Sequence, residues 1–400
     1  MKFGFKSYNS WDPLKKCLVG STFKTDFFSD HPDKKVADTL SKVNEETHED
    51  LEQLVTILQG EGVETYRMPD TQFTPDGKIA TSVAQCIEGG KQIPKPLHTP
   101  RDDFFVLGET LIYGKPFVRL NQRNWDSPWK GCEDYIQVFF DDDSELKLEY
   151  SNTESGNNLF FDGACIMRAG RDITMDVNSS SGKIFQQEWI PKYNKIHNTN
   201  FRAHTVGIGR HTDGVMNLLR PGLIISAQYI QNYHITYPNW DVFFVPKPLN
   251  NPYVKAFKQM KHDRMRDRAK DYWIHNEEGN DALHEFIDLW FKQGVGHVFE
   301  TNFDVNILSL DQDTIVTCGK NSDVEKRLWN DYGIKTIVSP LRHRWFWDGG
   351  IHCVTSDLYR EGACEDYWPS RGDKFLNFED ADLVNNAEQV RDEWRDINFD

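Results

Sequence analysis

The sequence predicts a single α/β domain in which two antiparallel strands, a helix and a third strand form a unit that is repeated radially. Three observations lead to this prediction. β-Hairpin patterns recur along the 400 residues, helix-then-strand patterns recur between them, and no Gly/Ser-rich or Pro-rich linker separates the copies. The intervals between copies are irregular, which favours a radial array over a solenoid of fixed period. We expect one domain over residues 1–400, ending in an acidic segment at about 366–400 with a surface helix over 379–394.

Four segments have the pattern of a β-hairpin. Each consists of a short apolar run, a tight turn rich in Gly or Asp, and a second run rich in β-forming residues. The predicted hairpins cover residues 104–113, 166–174, 216–226 and 306–316.

A helix followed by a strand also recurs. Apolar residues at mostly helical spacing predict the helices, and glycines mark where each helix ends. The copies are a helix over 33–59 with a strand over 63–69, a helix over 324–332 with a strand over 334–340, and a looser copy that ends in a strand over 241–246.

Composition favours a cytoplasmic enzyme or binding protein. The net charge of −16 argues against nucleic acid or an anionic membrane as the main partner. Seven scattered cysteines without a C-x-x-C pair are typical of free thiols in a reducing compartment, not of a disulfide framework or zinc site. The N-terminus lacks an apolar signal region, and no stretch is apolar for long enough to span a bilayer. A homodimer is compatible with the sequence.

Reactive side chains stand just upstream of the first strand of several units. They are Asp102, Asp162, His211, Asp213 and Cys353. Equivalent positions of a radial fold lie near one axis, so we expect these groups to converge, with Cys353 presented at a strand end rather than packed inside. Taken singly, each has a structural explanation: an Asp beside Gly commonly forms a turn, and a lone thiol is commonly a buried core residue.

Together, these residue types indicate a specific chemistry. A thiolate attacks a planar, electron-poor carbon, an imidazole carries protons, and one carboxylate orients the imidazole. Two further carboxylates would repel a developing oxyanion but would pair well with a guanidinium. Metal binding is a weaker alternative, because His211 and Asp213 lack the spacing of a helical ligand pair.

The same segments resemble the guanidino-group-modifying enzymes, and among them the amidinotransferases of the glycine and inosamine-phosphate type. The resemblance runs from Tyr8 to about Arg360. Its anchors are Pro-Arg-Asp at 100–102, Phe-Asp-Gly-Ala at 161–164, Arg-Ala-Gly-Arg-Asp at 168–172, His-x-Asp at 211–213 and Gly-Gly-Ile-His-Cys-Val-Thr at 349–355. It implies a five-bladed, pseudo-symmetric α/β propeller of the pentein type, built from ββαβ units.

The resemblance also implies a role for each reactive group. Cys353 would be the nucleophile, His211 the general acid and base, and Asp162 its orienting partner, while Asp102 and Asp213 would hold the guanidinium. The implied reaction moves the amidino group of L-arginine to an acceptor amine, with glycine as first choice, through a covalent amidino-cysteine. Ornithine and guanidinoacetate would be the products, and neither a metal nor an organic cofactor is implied.

Three departures from the family pattern concern the acceptor. Cys165 stands where the family commonly has a second Asp, Arg210 replaces a methionine before the catalytic His, and residues 226–230 lack the arginine that binds a substrate carboxylate. Two alternatives stay open from sequence: a hydrolase of the arginine deiminase type, and a non-enzymatic ribosome anti-association factor of similar fold.

Overall fold

The computed structural model describes residues 4–68, 70, 72–73, 79–88, 93, 96–113, 149–150, 163–176, 185–206, 211–227, 233–245, 274, 276–277, 279–291, 303–319 and 322–372. The predicted helix over 379–394 and most of the acidic C-terminal segment lie outside these residues.

Short strands and helices alternate along the described chain. The strands are β1 Leu14–Val19, β2 Glu64–Arg67, β3 Gln72–Phe73, β4 Ile79–Ala80, β5 Phe104–Leu107, β6 Thr110–Tyr113, β7 Glu149–Tyr150, β8 Ile166–Ala169, β9 Asp172–Asp176, β10 Arg202–Val206, β11 Met216–Arg220, β12 Leu223–Ser226, β13 Asp241–Phe244, β14 Leu308–Ser309, β15 Thr314–Thr317, β16 Lys335–Val338 and β17 Thr355–Arg360. The helices are α1 Lys34–Gly60, α2 Val83–Glu88, α3 Pro100–Asp103, α4 Ile190–His197, α5 Tyr233–Thr236, α6 Asp281–Trp290, α7 Ser322–Tyr332 and α8 Arg344–Trp347. The predicted α/β class is confirmed.

Five sheets of the described residues follow one plan. In each, an antiparallel pair is extended by a third strand that runs parallel to the second member of the pair. The sheets are β5-β6-β7, β8-β9-β10, β11-β12-β13, β14-β15-β16 and β17-β1-β2, and β3 and β4 form a separate pair. All four predicted hairpins are confirmed. Turn glycines such as Gly170 (φ 62°) and Gly222 (φ 87°) adopt the left-handed backbone that side chains disfavour.

The fifth sheet joins the two ends of the described chain. Strand β17 pairs antiparallel with β1, with Val19 opposite Thr355, and β1 pairs in parallel with β2. Helix α1 makes the crossover between β1 and β2. It begins at Asp33, whose carboxylate accepts from the backbone N–H groups of Lys35 and Val36, a cap that contributes about 0.5–2 kcal/mol.

The predicted helices and following strands are confirmed over 34–60 with 64–67 and over 322–332 with 335–338, as is the strand at 241–244. Helix α1 buries Leu51, Leu54 and Leu58 in a cluster that also contains residues of β1, β14 and β15. The apolar stripe of α1 therefore packs against its own sheet and a neighbouring one. Among the residues described here, no helix combines the length and apolar character needed to cross a membrane.

Candidate active site

Cys353 lies in a turn that leads directly into β17, as predicted. The backbone N–H of Val354 donates to the Gly350 carbonyl oxygen at 3.0 Å, and the Thr355 hydroxyl donates to the Ile351 carbonyl oxygen at 2.7 Å. The expectation that the thiol is presented rather than packed inside was wrong, because its side chain is only 1% exposed. The side chains of Asn306 and Asp213 contact the sulfur.

The two glycines before this turn permit close packing. A Cβ on Gly350 would lie 2.5 Å from Asn306 Oδ1, and a Cβ on Gly349 would lie 3.0 Å from Thr99 Cγ2. The left-handed residue here is Asp348, with φ of 54° at the C-terminal end of α8. The glycines therefore leave room for side chains beside Cys353, while Asp348 reverses the chain.

Asn306 contacts Cys353 from the segment just before β14. Its side-chain Nδ2 donates to Cys353 Sγ at 3.0 Å. Its Oδ1 accepts from the backbone N–H groups of His352 at 2.9 Å and Cys353 at 3.2 Å. The sequence analysis placed Asn306 inside the predicted hairpin over 306–316. The strand begins only at Leu308, so Asn306 precedes it and stands at the same place in its unit as the other reactive groups.

Asp213 reaches the thiol from the opposite direction. It lies in the 3₁₀ turn Thr212–Gly214 before β11, and its side chain is fully buried. Its Oδ2 lies 2.7 Å from His352 Nδ1 and 3.6 Å from Cys353 Sγ. A carboxylate only accepts, so the imidazole N–H and the thiol are the donors. His352, which the sequence interpretation did not single out, therefore fixes the orientation of Asp213.

The charges of this pair follow from burial and hydrogen bonding. Burial, assisted by the charge of Arg101, lowers the pKa of His352 to about 4, although Asp213 opposes the shift. Burial would raise the pKa of the Asp213 carboxyl, but the hydrogen bond from His352 and the nearby His211 and Arg101 lower it. At neutral pH, Asp213 is therefore an anion held by a neutral imidazole.

Asp102 and His211 lie together at the partly exposed side of the site. His211 Nδ1 is 4.0 Å from Asp102 Oδ1, and the two side chains are 22% and 15% exposed. The Thr99 hydroxyl donates to Asp102 Oδ2 at 2.7 Å. Helix α3 carries Asp102 and meets the turn that carries Cys353, where the backbone N–H of Arg101 donates to the Cys353 carbonyl oxygen at 3.3 Å.

Four of the five predicted site residues are thus placed by the structure. Asp213 lies against Cys353, and Asp102 lies beside His211 on an adjoining turn. Asp162 lies outside the described residues, so its role stays a prediction. Cys165 is partly exposed, and its carbonyl oxygen accepts from the Thr212 hydroxyl at 2.8 Å, which joins the turns before β8 and β11. Arg210 also lies outside the described residues.

A buried cluster of one carboxylate and three guanidinium groups lies next to the site. Asp357 of β17 pairs with Arg101 of α3 at 2.6 Å, with Arg360 at 2.9 Å and with Arg168 of β8, and it accepts from the Ser7 hydroxyl at 2.9 Å. Burial alone would raise the pKa of the Asp357 carboxyl, but the three guanidinium groups hold it well below its usual range. One carboxylate therefore joins three separate segments of the chain.

Arg101 connects this cluster to the turn that carries Cys353. Its Nε donates to the Thr355 carbonyl oxygen at 3.1 Å while its guanidinium pairs with Asp357. Asp102 is the next residue, and Cys353 is tied to the same helix through its carbonyl oxygen. The spacing between the two predicted site residues is therefore set by a side chain with no predicted chemical role.

Four other thiols are chemically unlike a nucleophile. Burial raises the pKa of Cys17 to about 12 and those of Cys86, Cys318 and Cys364 to about 11. These thiols stay protonated at neutral pH, and a protonated thiol is a poor nucleophile.

Chemically, the arrangement can bind a cation beside a thiol. Asp213 offers negative charge against Sγ, Asp102 offers a second carboxylate, and His211 lies where protons can be exchanged with solvent. A planar cation with several N–H donors would satisfy both carboxylates while presenting its central carbon to sulfur.

Comparisons with known proteins point to one family. The chain is 23% identical to the mitochondrial glycine amidinotransferase of Danio rerio, over 90% of this chain and 84% of that protein. It is 22% identical to inosamine-phosphate amidinotransferase 1 of Streptomyces griseus, over 88% of this chain and 96% of that protein. The structure matches SxtG, an amidinotransferase from Microseira wollei in the saxitoxin biosynthetic pathway, with a TM-score of 0.56, 19% identity and coverage of 91% and 99%. No protein-family model matches the chain.

The predicted resemblance is confirmed by both kinds of comparison. Over about nine-tenths of its length the chain is similar in sequence to amidinotransferases, and it has the α/β fold of an amidinotransferase.

Proposed function

We propose that this protein is an amidinotransferase that moves the amidino group of L-arginine to a primary amine, with glycine as the first choice of acceptor. The observation that carries the proposal is the contact between Cys353 Sγ and the buried Asp213 carboxylate, at 3.6 Å. It occurs in a chain that resembles amidinotransferases along most of its length. A thiol that faces an anion in this way suits a cationic substrate.

In the first half-reaction, Asp213 and Asp102 hold the guanidinium by charge-assisted hydrogen bonds. The Cys353 thiol gives its proton to His211, the resulting thiolate attacks the guanidino carbon, and the C–N bond to the ornithine nitrogen breaks. His211 supplies the proton that this nitrogen takes as it leaves. The amidino group remains on sulfur as a cationic thiouronium next to Asp213. Asp162 is proposed to orient His211.

In the second half-reaction, His211 removes a proton from the incoming amine, and the amine nitrogen attacks the amidino carbon. The C–S bond breaks, and Cys353 leaves as a thiolate. Residues 226–230 lack the family arginine for a substrate carboxylate. The choice of glycine as acceptor therefore depends on the similarity to glycine amidinotransferases. Measuring ornithine release from arginine with a panel of amines identifies the acceptor.

We also propose that the five sheets form the five blades of one propeller domain. Contacts between the turns that precede the first strands support this arrangement. The turn before β17 meets the turns before β5 and β14 through Arg101 and Asn306, and the turn before β11 meets the one before β8 through Thr212. Turns from five sheets would meet in this way if the sheets surrounded a common axis.

The half-reaction provides the test of function. With arginine and no acceptor, the protein should release about one ornithine per active site and then stall, because the amidino group stays on Cys353. Mass spectrometry should find the amidino group on the Cys353 peptide, and glycine should discharge it as guanidinoacetate. Sustained citrulline formation would assign a hydrolase instead. The absence of adduct and product with every amine tested would contradict both enzymatic functions.

Loss of the Asp213 or Asp102 carboxylate should reduce the affinity for arginine, whereas loss of Cys353 should abolish turnover. Asp213→Asn or Asp102→Asn should weaken arginine binding by about 10- to 100-fold, because each removes a charge-assisted hydrogen bond of roughly 1.5–3 kcal/mol. Calorimetric titration of arginine on a Cys353→Ala background measures the effect without turnover. Asp241→Asn, which changes an exposed carboxylate of β13, is the matched control. Unchanged affinity in either site variant would remove that residue from the guanidinium site.

A further inference from the structure

We propose that Asn306 is a catalytic residue that stabilises the thiolate form of Cys353. The proposal rests on the proposed function, in which Cys353 is the nucleophile, and adds a group to its machinery. Its basis is the hydrogen bond from Asn306 Nδ2 to Cys353 Sγ at 3.0 Å. That bond joins a neutral donor to the atom on which negative charge must develop.

Both polar atoms of the Asn306 side-chain amide form hydrogen bonds with the turn that carries Cys353. While Nδ2 donates to sulfur, Oδ1 accepts from the backbone N–H groups of His352 and Cys353. The side chain is fully buried, and Gly350 packs so closely that a Cβ there would lie 2.8 Å from the Asn306 Cβ. The amide therefore cannot turn away from sulfur without giving up two backbone hydrogen bonds.

The electrostatics of the thiol make such a donor necessary. Asp213 Oδ2 lies 3.6 Å from Sγ, and a like charge at this distance disfavours a thiolate. A hydrogen bond donated to the charged form acts in the opposite direction. Asn306 therefore counters Asp213 before a cationic substrate arrives, and its N–H group is directed at sulfur without adding a charge that would repel that substrate.

The same hydrogen bond serves both half-reactions. Sulfur is the attacking thiolate in the first and the departing thiolate in the second, so in each the charge on Sγ lies opposite the Asn306 N–H. Between them, the thioether carries no negative charge, and the hydrogen bond weakens. Loss of the donor should therefore slow formation and discharge of the intermediate alike.

Position within the fold supports this role independently. Asn306 directly precedes the first strand pair of its sheet, β14 with β15, where other sheets carry Asp102, Asp213 and Cys353. The sheet β14-β15-β16 thus contributes a polar group from the same place as its counterparts, and that group is the amide on the nucleophile.

The test is the pH dependence of Cys353 alkylation by iodoacetamide, followed by mass spectrometry of the Cys353 peptide. This readout requires no amidino transfer, so it separates failure of this proposal from failure of the proposed function. Asn306→Asp keeps an oxygen for the two backbone N–H groups but replaces the donor with a carboxylate. Asn306→Ala removes the side chain. Asn44→Asp is the control, since Asn44 is equally buried in α1 and donates to the Phe23 and Lys24 carbonyl oxygens.

We expect the inflection of the alkylation rate to move upward by at least about one pH unit in both Asn306 variants, and further in Asn306→Asp. Asn44→Asp should lower stability and leave the inflection in place. Inflections within about 0.3 pH unit of the parent in both folded Asn306 variants would overturn the proposal.

Discussion

Replacement of Cys353 by serine is expected to lower amidino transfer by about 10⁴-fold or more while leaving the fold intact. A hydroxyl is a far weaker nucleophile than a thiolate at neutral pH, and the nearest described carboxylate, Asp213, already accepts from His352. The size and burial of the side chain change little, so far-ultraviolet circular dichroism and the unfolding midpoint should match those of the parent. Steady-state ornithine release from arginine plus glycine measures the loss.

Cys318→Ser is the matched control for this prediction. Cys318 is also fully buried, and burial raises the pKa of its thiol to about 11. The substitution should lower stability modestly and leave turnover within about twofold of the parent, in keeping with a structural cysteine. Turnover by Cys353→Ser at a comparable rate would show that the nucleophile lies elsewhere.

The second large effect concerns stability. Asp357→Asn should lower the free energy of unfolding by about 3–5 kcal/mol, because it leaves three buried guanidinium groups without their carboxylate. Urea unfolding followed by tryptophan fluorescence gives the value. Asp313→Asn is the control, since Asp313 is 76% exposed and pairs with Arg220 at the surface. It should change stability by about 0.5 kcal/mol or less, and a similarly small effect at Asp357 would contradict the role of the cluster.

The lowered pKa values of Asp357 and His352 predict that the free energy of unfolding decreases in acid. The folded-state pKa of Asp357 lies well below its ordinary value, so its stabilisation is complete above about pH 5. It begins to be lost near the unfolded-state value of about 3.9 and continues to be lost as pH falls towards the lower folded-state value. His352 has its pKa lowered to about 4, so the unfolded chain binds a proton first as pH falls below about 6.5. Both groups make stability decrease with acid: the His352 contribution falls between about pH 6.5 and pH 4, and that of Asp357 falls below about pH 4. Unfolding midpoints measured from about pH 7 to pH 2 should decrease, and the Asp357→Asn variant should lack the part of the decrease below about pH 4.

Local signals made the repeated unit predictable from sequence. The hairpins of β5-β6, β8-β9, β11-β12 and β14-β15 have short connections, so apolar runs and turn residues specify them within a few positions. Helix α1 was equally clear, because its apolar residues keep helical spacing over many turns. The pairing of β1 with β17 has no such signal, since the two strands lie at opposite ends of the described chain.

The candidate site was predictable only where its residues are ionisable. Their position just before the first strand of a unit identified Asp102, His211, Asp213 and Cys353 as candidate site residues. Asn306 carries no charge, and the predicted hairpin over 306–316 included it, whereas strand β14 begins at Leu308. Asp357 and His352 depend on partners that are distant in sequence, and the burial of Cys353 depends on side chains from two other units. Such contacts follow from packing, which residue types and spacing alone do not determine.

The pairing of β1 with β17 has a consequence for the order in which the site is made. Synthesis proceeds from the N-terminus, so β1 waits for its antiparallel partner until almost all of the described chain has emerged. Cys353 arrives with that partner, directly before Thr355. A nascent chain that ends before Cys353 already carries Asp102, His211 and Asp213, yet it lacks both the thiol and the carboxylate of Asp357. Under the proposed function, the same late segment supplies the nucleophile and closes the N-terminal sheet, so a chain that ends before it should not react with arginine.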